Sequence, residues 1–327
     1  MSNQYRLNLL RTLFLSLFCI SFYTSAQNNF PDKPLHIIVP QPPGGGFDYV
    51  GRVLADKMAP LMKESMIVEN RPGVGTVVGT DYVAKLPPDG YTAVVGSISN
   101  IVMNPWLYKS LPYDPMKDFV PVGLATSYSY TLVGRQGLPF NDLKGLIQYA
   151  KNNPGKLTYA SGGNGTGQHV LAAALWNKAS VDIVHVPYKG AQAAYTDIIG
   201  GRVDLFFDLS PTVKPHIDAG SVVPYATSGA TRNPNLPNVP TIIETGVSNI
   251  QLESWFGLFV PAKTPPEILA KWQDALQKVA NMPDVKERFE KAGGRPISPT
   301  IAEVKTLVQT DYNRWKQLIS NANIKAD

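Results

Sequence analysis

The stretch FPDKPLHIIVPQPPGGGFD, Phe30–Asp48, decides the fold class. Within it Leu35–Pro40 (LHIIVP) is an apolar run of strand length that leads into Gly44-Gly45-Gly46. From Phe47 to Met62, Val50, Val53, Leu54, Met58 and Leu61 recur at helical spacing and share one face. A strand that turns through glycine into an amphipathic helix opens an α/β unit. The unit continues with a short strand at Met66–Val68, a helix over Thr76–Leu86 stopped by Pro87-Pro88-Asp89-Gly90, and a strand at Tyr91–Val95. Strands and helices in alternation predict a parallel sheet with helices on its faces.

The pattern restarts after Phe119. Val120–Val133 holds two short apolar runs, Asp142–Asn152 a helix, Leu157–Ala160 a strand and Gly167–Asn177 a helix. Ile183–Val186, Val203–Phe207 and Val222–Ala226 are further strands with helical segments between them, and Leu252–Val260 is a longer apolar run. From Pro265 onward the chain reads as helices over Pro265–Asn281, Asp284–Lys291 and Pro299–Ser320. Two α/β lobes are expected, with chain crossings near Leu124–Tyr130 and Gln251–Phe256. One lobe takes residues 27–127 and 253–327, the other residues 128–252. Such a pair places a ligand in the cleft between lobes, at the carboxyl ends of the strands.

Upstream of the fold, Arg6 and Arg11 precede an apolar core at Thr12–Tyr23, and Thr24-Ser25-Ala26 offers small residues before Gln27. This is the layout of a secretory signal peptide cleaved after residue 26. The apolar core is shorter than the roughly 20 residues that span a bilayer as a helix, which argues against a retained anchor. The single cysteine, Cys19, lies inside this segment, so the mature chain carries no thiol, as suits an oxidising compartment. Phe18, where a lipoprotein signal needs a small residue, argues against lipidation of Cys19. The formal net charge of +5 is not gathered into any Lys/Arg run, which excludes nucleic acid as the expected partner.

Three glycine-rich loops could carry function. In Pro40–Asp48 the glycines expose N–H groups and the following helix presents the positive end of its dipole, a ready carboxylate or phosphate site. Asp48 then reads either as part of that site or as an ordinary helix cap. Ser161–Gly167 offers the same chemistry with Ser and Thr hydroxyls added, and His169 follows in the first helical turn. Two helix N-termini facing one cleft suit a ligand with two negative ends. The third loop, Asn70–Gly79, lacks G-x-G-x-x-G, and no phosphate-loop G-x-x-x-x-G-K-[ST] occurs, so tight helix–strand packing outweighs a nucleotide there. No G-x-S-x-G is present, and His36, His169, His185 and His216 show no H-x-x-x-H spacing; neither a metal site nor a cofactor is expected. Asp204 and Asp208 share VDLFFDLS as strand-end polar residues, with Asp208 able to face a cleft.

At this point the motifs form a family pattern. The chain resembles the Bug (TctC-like) family of periplasmic solute-binding proteins of tripartite tricarboxylate transporters. The resemblance rests on FPDKPLHIIVPQPPGGGFD, VENRPGVG (Val68–Gly75), PPDGYT (Pro87–Thr92), NPWLYKSLPYDPMKDFVPV (Asn104–Val122), PGKLTYASGGNGTGQH (Pro154–His169), IVHVPYKG (Ile183–Gly190), GGRVDLFFD (Gly200–Asp208), LPNVPTIIETG (Leu236–Gly246) and SWFGLFVPAKTP (Ser254–Pro265), in that order. It implies a type II periplasmic-binding-protein-like α/β fold, two lobes around a ligand cleft, a monomer that captures a small organic carboxylate, and hand-over to inner-membrane transporter subunits. Carried over by motif, the ligand contacts are expected from Pro43, Gly45, Gly46, Phe47 and Asp48, from Ser97, Ser99 and Asn100, from Gly163, Asn164, Gly165, Thr166 and His169, and from Asp208; Tyr188 and Lys189 are weaker candidates.

Phe47 stands where many relatives have a small residue. It reads either as a ring over the ligand, favouring a dicarboxylate or aromatic carboxylate, or as a core residue. Ser127-Tyr128-Ser129-Tyr130 adds aromatics near the crossing. Two other functions are compatible with the sequence: a periplasmic sensor docking on a signalling receptor, and an exported hydrolase using Ser161 with His169. The ligand itself is not readable, because backbone amides and waters leave little side-chain code.

Overall fold

β1 (Leu35–Val39) is buried along nearly its whole length because strands flank both its edges. It pairs in parallel with β2 (Met66–Asn70) on one side and β3 (Thr92–Ser97) on the other. The computed structural model describes residues 30–321 and 324–326, and the account below concerns the unit Lys33–Asp327. The leader read at residues 1–26, with Cys19, lies outside the described residues.

α1 (Gly46–Met62) connects β1 to β2 and buries Val50, Val53, Leu54 and Met58 against the sheet. Met62 closes the stripe; Leu61, which the spacing put on that face, is 39% exposed. Gly51 lets α1 lie close to β1, since a Cβ there would stand 2.8 Å from Val39 Cγ2. α2 (Val77–Ala84) leads to β3. A π-helical segment (Ile98–Met103), α3 (Asn104–Leu107) and α4 (Pro115–Asp118) then carry the chain to β4.

β4 departs most from the sequence reading. The two short runs in Val120–Val133 belong to one 17-residue strand, Phe119–Arg135. Polar residues Thr126, Ser127 and Thr131 interrupt its apolar pattern, yet they are buried because both edges of the strand are occupied. Phe119–Ser129 pairs antiparallel with β9 (Glu253–Pro261), and β10 (Gly294–Pro296) covers the other edge at Thr126–Tyr128. From Tyr130 onward the partners change to β7 (Leu205–Leu209) and β8 (Val222–Thr227), both antiparallel. β5 (Thr158–Ser161) lies parallel between β7 and β6 (Val184–Pro187). The strand order is β2-β1-β3-β9-β4-β7-β5-β6.

The remaining helices pack on the sheet faces: α5 (Leu143–Asn152), α6 (Gly167–Ala179), α7 (Ala191–Ile199), α8 (Ser210–Asp218), α9 (Pro266–Asn281), α10 (Pro283–Lys291) and α11 (Ile301–Asn321). Trp272 of α9 is fully buried and donates its indole N–H to Gly90 O at 2.8 Å, tying the C-terminal helices to the first half of the sheet. Val133, Phe206, Tyr195, Ile198 and Val213 form the core of the second half.

The pairing directions place the site. β3 is antiparallel to β9 and β9 to β4, so β1 and β3 run the same way as β4. β7 and β5 run against β4. The carboxyl ends of both halves therefore converge on the middle of β4, where loops from β1, β3, β5 and β7 meet.

Candidate functional site

The first glycine loop ends in a helix without a side-chain cap. Gly45 holds the N-cap position of α1 and has no side chain to offer. An α-helix leaves its first four N–H groups without intrahelical partners, and they carry the positive end of the dipole. Gly44 makes the turn with φ +82°, a conformation that favours glycine, and Pro43 sits at its exposed outer edge. Asp48 braces this turn. Its Oδ2 accepts from Gly44 N–H at 3.0 Å, its Oδ1 from Asn70 Nδ2 at 2.9 Å, and both oxygens from Arg52 Nε at 3.0 Å. Burial alone would raise its pKa, but the bonds from Arg52, Gly44 and Asn70 outweigh burial and hold the carboxyl below the usual range. Phe47 points into the core: it is 3% exposed and meets Phe256 edge-on, with centroids 5.1 Å apart. Gly46 lies against the other half of the sheet, since a Cβ there would stand 2.6 Å from Leu209 Cδ1.

The second loop is tied down by side chains. Gly162 N–H donates to Gln168 Oε1 at 2.8 Å, Gly163 N–H to Ser161 Oγ at 3.2 Å and Gly165 N–H to His169 Nδ1 at 3.3 Å. Gly167 N–H donates to Ser99 Oγ at 3.0 Å, a bond between the two halves. Thr166 caps α6, and its hydroxyl donates to Gly163 O at 2.8 Å. Asn164 points to the rim, where its Nδ2 donates to Ala326 O at 3.0 Å and its carbonyl accepts from Tyr108 at 2.7 Å. The His169 ring stacks on His185 with centroids 4.1 Å apart. Burial lowers His169 to about 4 and His185 to about 3, so both rings are neutral at pH 7. Because His169 Nδ1 accepts a hydrogen bond, its proton sits on Nε2.

Ser97 and Asn100 are occupied with each other. Ser97 N–H donates to Asn100 Oδ1 at 2.8 Å, Ser99 N–H donates to Ser97 Oγ at 3.1 Å, and Asn100 Nδ2 donates to Thr80 Oγ1 and Val95 O. This reciprocal cap fixes Ser99, the residue of the trio that reaches across to α6. Asp208, at the end of β7, is 1% exposed; its Oδ1 accepts from Leu209 N–H at 2.8 Å and Gln168 Nε2 at 2.6 Å. Burial pushes its carboxyl up to about 7. Gln168 thus joins the second loop to Asp208, a role that sequence reading missed; its position directly after G-T-G in the first turn of α6 was the available signal.

Several expectations are corrected by these contacts. Ser161 Oγ lies 2.7 Å from His185 Nε2 rather than at His169, and it is fully buried, so the Ser161–His169 pair does not form. Tyr188 is turned to α7, where its hydroxyl donates to Asp197 at 2.6 Å, and Lys189 is exposed. The third loop, by contrast, is packed as expected: Gly75 approaches Asn164 O and Gly79 approaches Arg71 O. Among the described residues no three His, Cys, Asp or Glu side chains cluster as metal ligands, and no helix is long and apolar enough to cross a membrane.

Known proteins resemble this chain in sequence and in fold. The sequence profile described as tripartite tricarboxylate transporter family receptor matches residues 50–324. The chain is 33% identical, over all of its length and 97% of the relative, to the UPF0065 protein in the tcbD-tcbE intergenic region of Pseudomonas sp. strain P51. Among solved structures it is similar to R. palustris Rpa4515 with adipate (TM-score 0.87, 30% identity, 90% of this chain and 99% of that one). It is likewise similar to MatC (Rpa3494) from Rhodopseudomonas palustris with bound malate (TM-score 0.85, 30% identity, 89% of this chain and 100% of that one).

Proposed function

The chain belongs to the receptor family of the tripartite tricarboxylate transporters, and from that premise we propose that it captures a small organic carboxylate in the periplasm and delivers it to the membrane subunits of such a transporter. The family is one of receptors, not enzymes. The observation that carries the reading is the uncapped start of α1: Gly45 offers no cap, and the polarised N–H groups begin at Gly46, beside Leu209 in the junction of the two halves. The ligands of the two similar structures, adipate and malate, are carboxylates and support it. Asp48 shapes the first loop, Ser97 and Asn100 aim Ser99, and Thr166 and His169 hold the second loop.

In this reading the lobes are residues 27–127 with 253–327, and residues 128–252, hinged where the chain passes along β4 and into β9. Bonds between loops, such as Gly167 to Ser99 and Tyr108 to Asn164, are those that form on closure. Residues 1–26 are the export signal. Isothermal titration of the mature protein with carboxylic acids, their amides and neutral sugars tests the proposal. Carboxylates should bind and the matching amides should not; equal binding of acid and amide would refute it.

A further inference from the structure

Thr227, Thr131 and Asp208 stand directly opposite one another across β8, β4 and β7, so their side chains leave the same face of the sheet in a row. All three are buried: Thr131 and Thr227 are 0% exposed and Asp208 is 1% exposed. Thr131 Oγ1 and Thr227 Oγ1 make no hydrogen bond within the protein, and Asp208 Oδ2 has only the buried Tyr195 hydroxyl beside it. Folded proteins rarely leave such atoms without partners, and three under-satisfied side chains in one row point to a partner that is not part of the chain.

The row borders the carboxylate site. Leu209, next to Asp208, touches Gly46 at the start of α1, and Gln168 ties Asp208 to the second loop. With Oδ1 held by Leu209 N–H and Gln168, Oδ2 faces the Tyr195 hydroxyl and keeps a lone pair for the visitor. No Lys or Arg among the described residues hydrogen-bonds or pairs with Asp208. A second ionised carboxylate at this place would meet a carboxylate with nothing to offset the repulsion, whereas a hydroxyl or amino group would meet an acceptor.

Resting on the carboxylate-capture reading, we propose that this row receives the far end of the ligand. It selects a carboxylic acid whose other end carries a hydrogen-bond donor, a hydroxyl or amino group, over one ending in a methyl group or a second ionised carboxylate. The titratable groups facing Asp208 are Tyr195 from α7, whose ring stacks on His216 of α8, and Tyr130 from β4; burial raises both phenols, so they stay neutral near pH 7. Asp208 is then the group that changes state there. Protonated, its Oδ2 becomes a donor and can hydrogen-bond to the second carboxylate of a dicarboxylate.

Calorimetry at about pH 8.5 with 5-hydroxypentanoate, 5-aminopentanoate, pentanoate and glutarate tests this. The donor-ended acids should bind roughly 10- to 100-fold more tightly than pentanoate and glutarate. Asp208→Asn presents an amide donor where Oδ2 stands, so glutarate should overtake 5-hydroxypentanoate in that variant, as it should gain in the wild type at about pH 5.5. Thr131→Val, with melting temperature as the folding control, should weaken 5-hydroxypentanoate a few-fold and leave pentanoate unchanged. Equal binding of 5-hydroxypentanoate and pentanoate, or an unchanged ranking in folded Asp208→Asn, overturns the inference alone. Binding of none of the four acids overturns the carboxylate reading, and this inference with it.

Discussion

The two glycine-rich loops are alike in sequence, each set between a strand and a helix, but their hydrogen bonding differs. In Ser161–Gly167, the N–H groups of Gly162, Gly163, Gly165 and Gly167 are taken by Gln168, Ser161, His169 and Ser99. In Gly44–Gly46, Gly44 N–H is taken by Asp48, and α1 then starts on Gly45 with no cap. Glycine marks where backbone is laid open; neighbouring side chains decide whether the open N–H groups stay available. The first loop is thereby suited to an anion, and the second to acting as a rigid wall.

That contrast can be broken most severely at Gln168. Gln168→Leu strands Gly162 N–H and removes a donor from buried Asp208, so unfolding in urea should show a loss of about 2–4 kcal/mol. A change near zero would mean the second loop is not held as described.

Acid should weaken the second loop next. Burial sets His169 at about 4 and His185 at about 3, below the ordinary value of about 6.5. Depressed histidines leave stability complete above the unfolded value and remove it as pH falls toward the folded one. Their protonation should remove on the order of 2 kcal/mol between pH 7 and 5, shared between the two rings and read against His-substituted variants, because buried Asp208, raised to about 7, adds stability over the same window. His169→Gln should flatten that slope; an unaltered slope would assign it to other groups.

The first loop should respond to Asp48 in a different pH window. Its folded pKa is depressed, so its contribution is present above the usual carboxylate range and is lost as pH falls below it. Asp48→Asn should cost about 1 kcal/mol at pH 7, kept small because its partner Arg52 is half exposed. It should also weaken carboxylate binding several-fold while leaving the His-dependent slope intact. The smallest effect belongs to the bond joining the loops. Ser99→Ala should raise Kd about 3- to 5-fold, through faster release, because Gly167 N–H loses its acceptor on closure.

The local pattern carried the elements whose cause is local. LHIIVP followed by glycine and an apolar stripe is β1 and α1 because strand, turn and helix each leave their own periodicity. The glycine turn into α1 was legible for the same reason, but Asp48 was equally readable as its cap, a position that Gly45 holds. Other features depend on partners far along the chain. The length of β4 was hidden because Thr126, Ser127 and Thr131 are polar but buried by partners on both edges. Ser161 meets His185, 24 residues away on β6, rather than His169 in the same motif. Phe47 could be read as core or ligand cover, and Phe256, on the returning strand β9, is what draws it into the core. The buried row Thr227–Thr131–Asp208 exists only once three strands are in register.

Backbone amide NMR during titration of the mature protein with its carboxylate ligand tests the central claim most directly. The account predicts the largest downfield proton shifts at Gly45, Gly46 and Phe47, where open N–H groups take the anion, and small shifts at Gly162, Gly163 and Gly165, whose N–H groups are already bonded. Large shifts in the second loop with the first loop unmoved would contradict it.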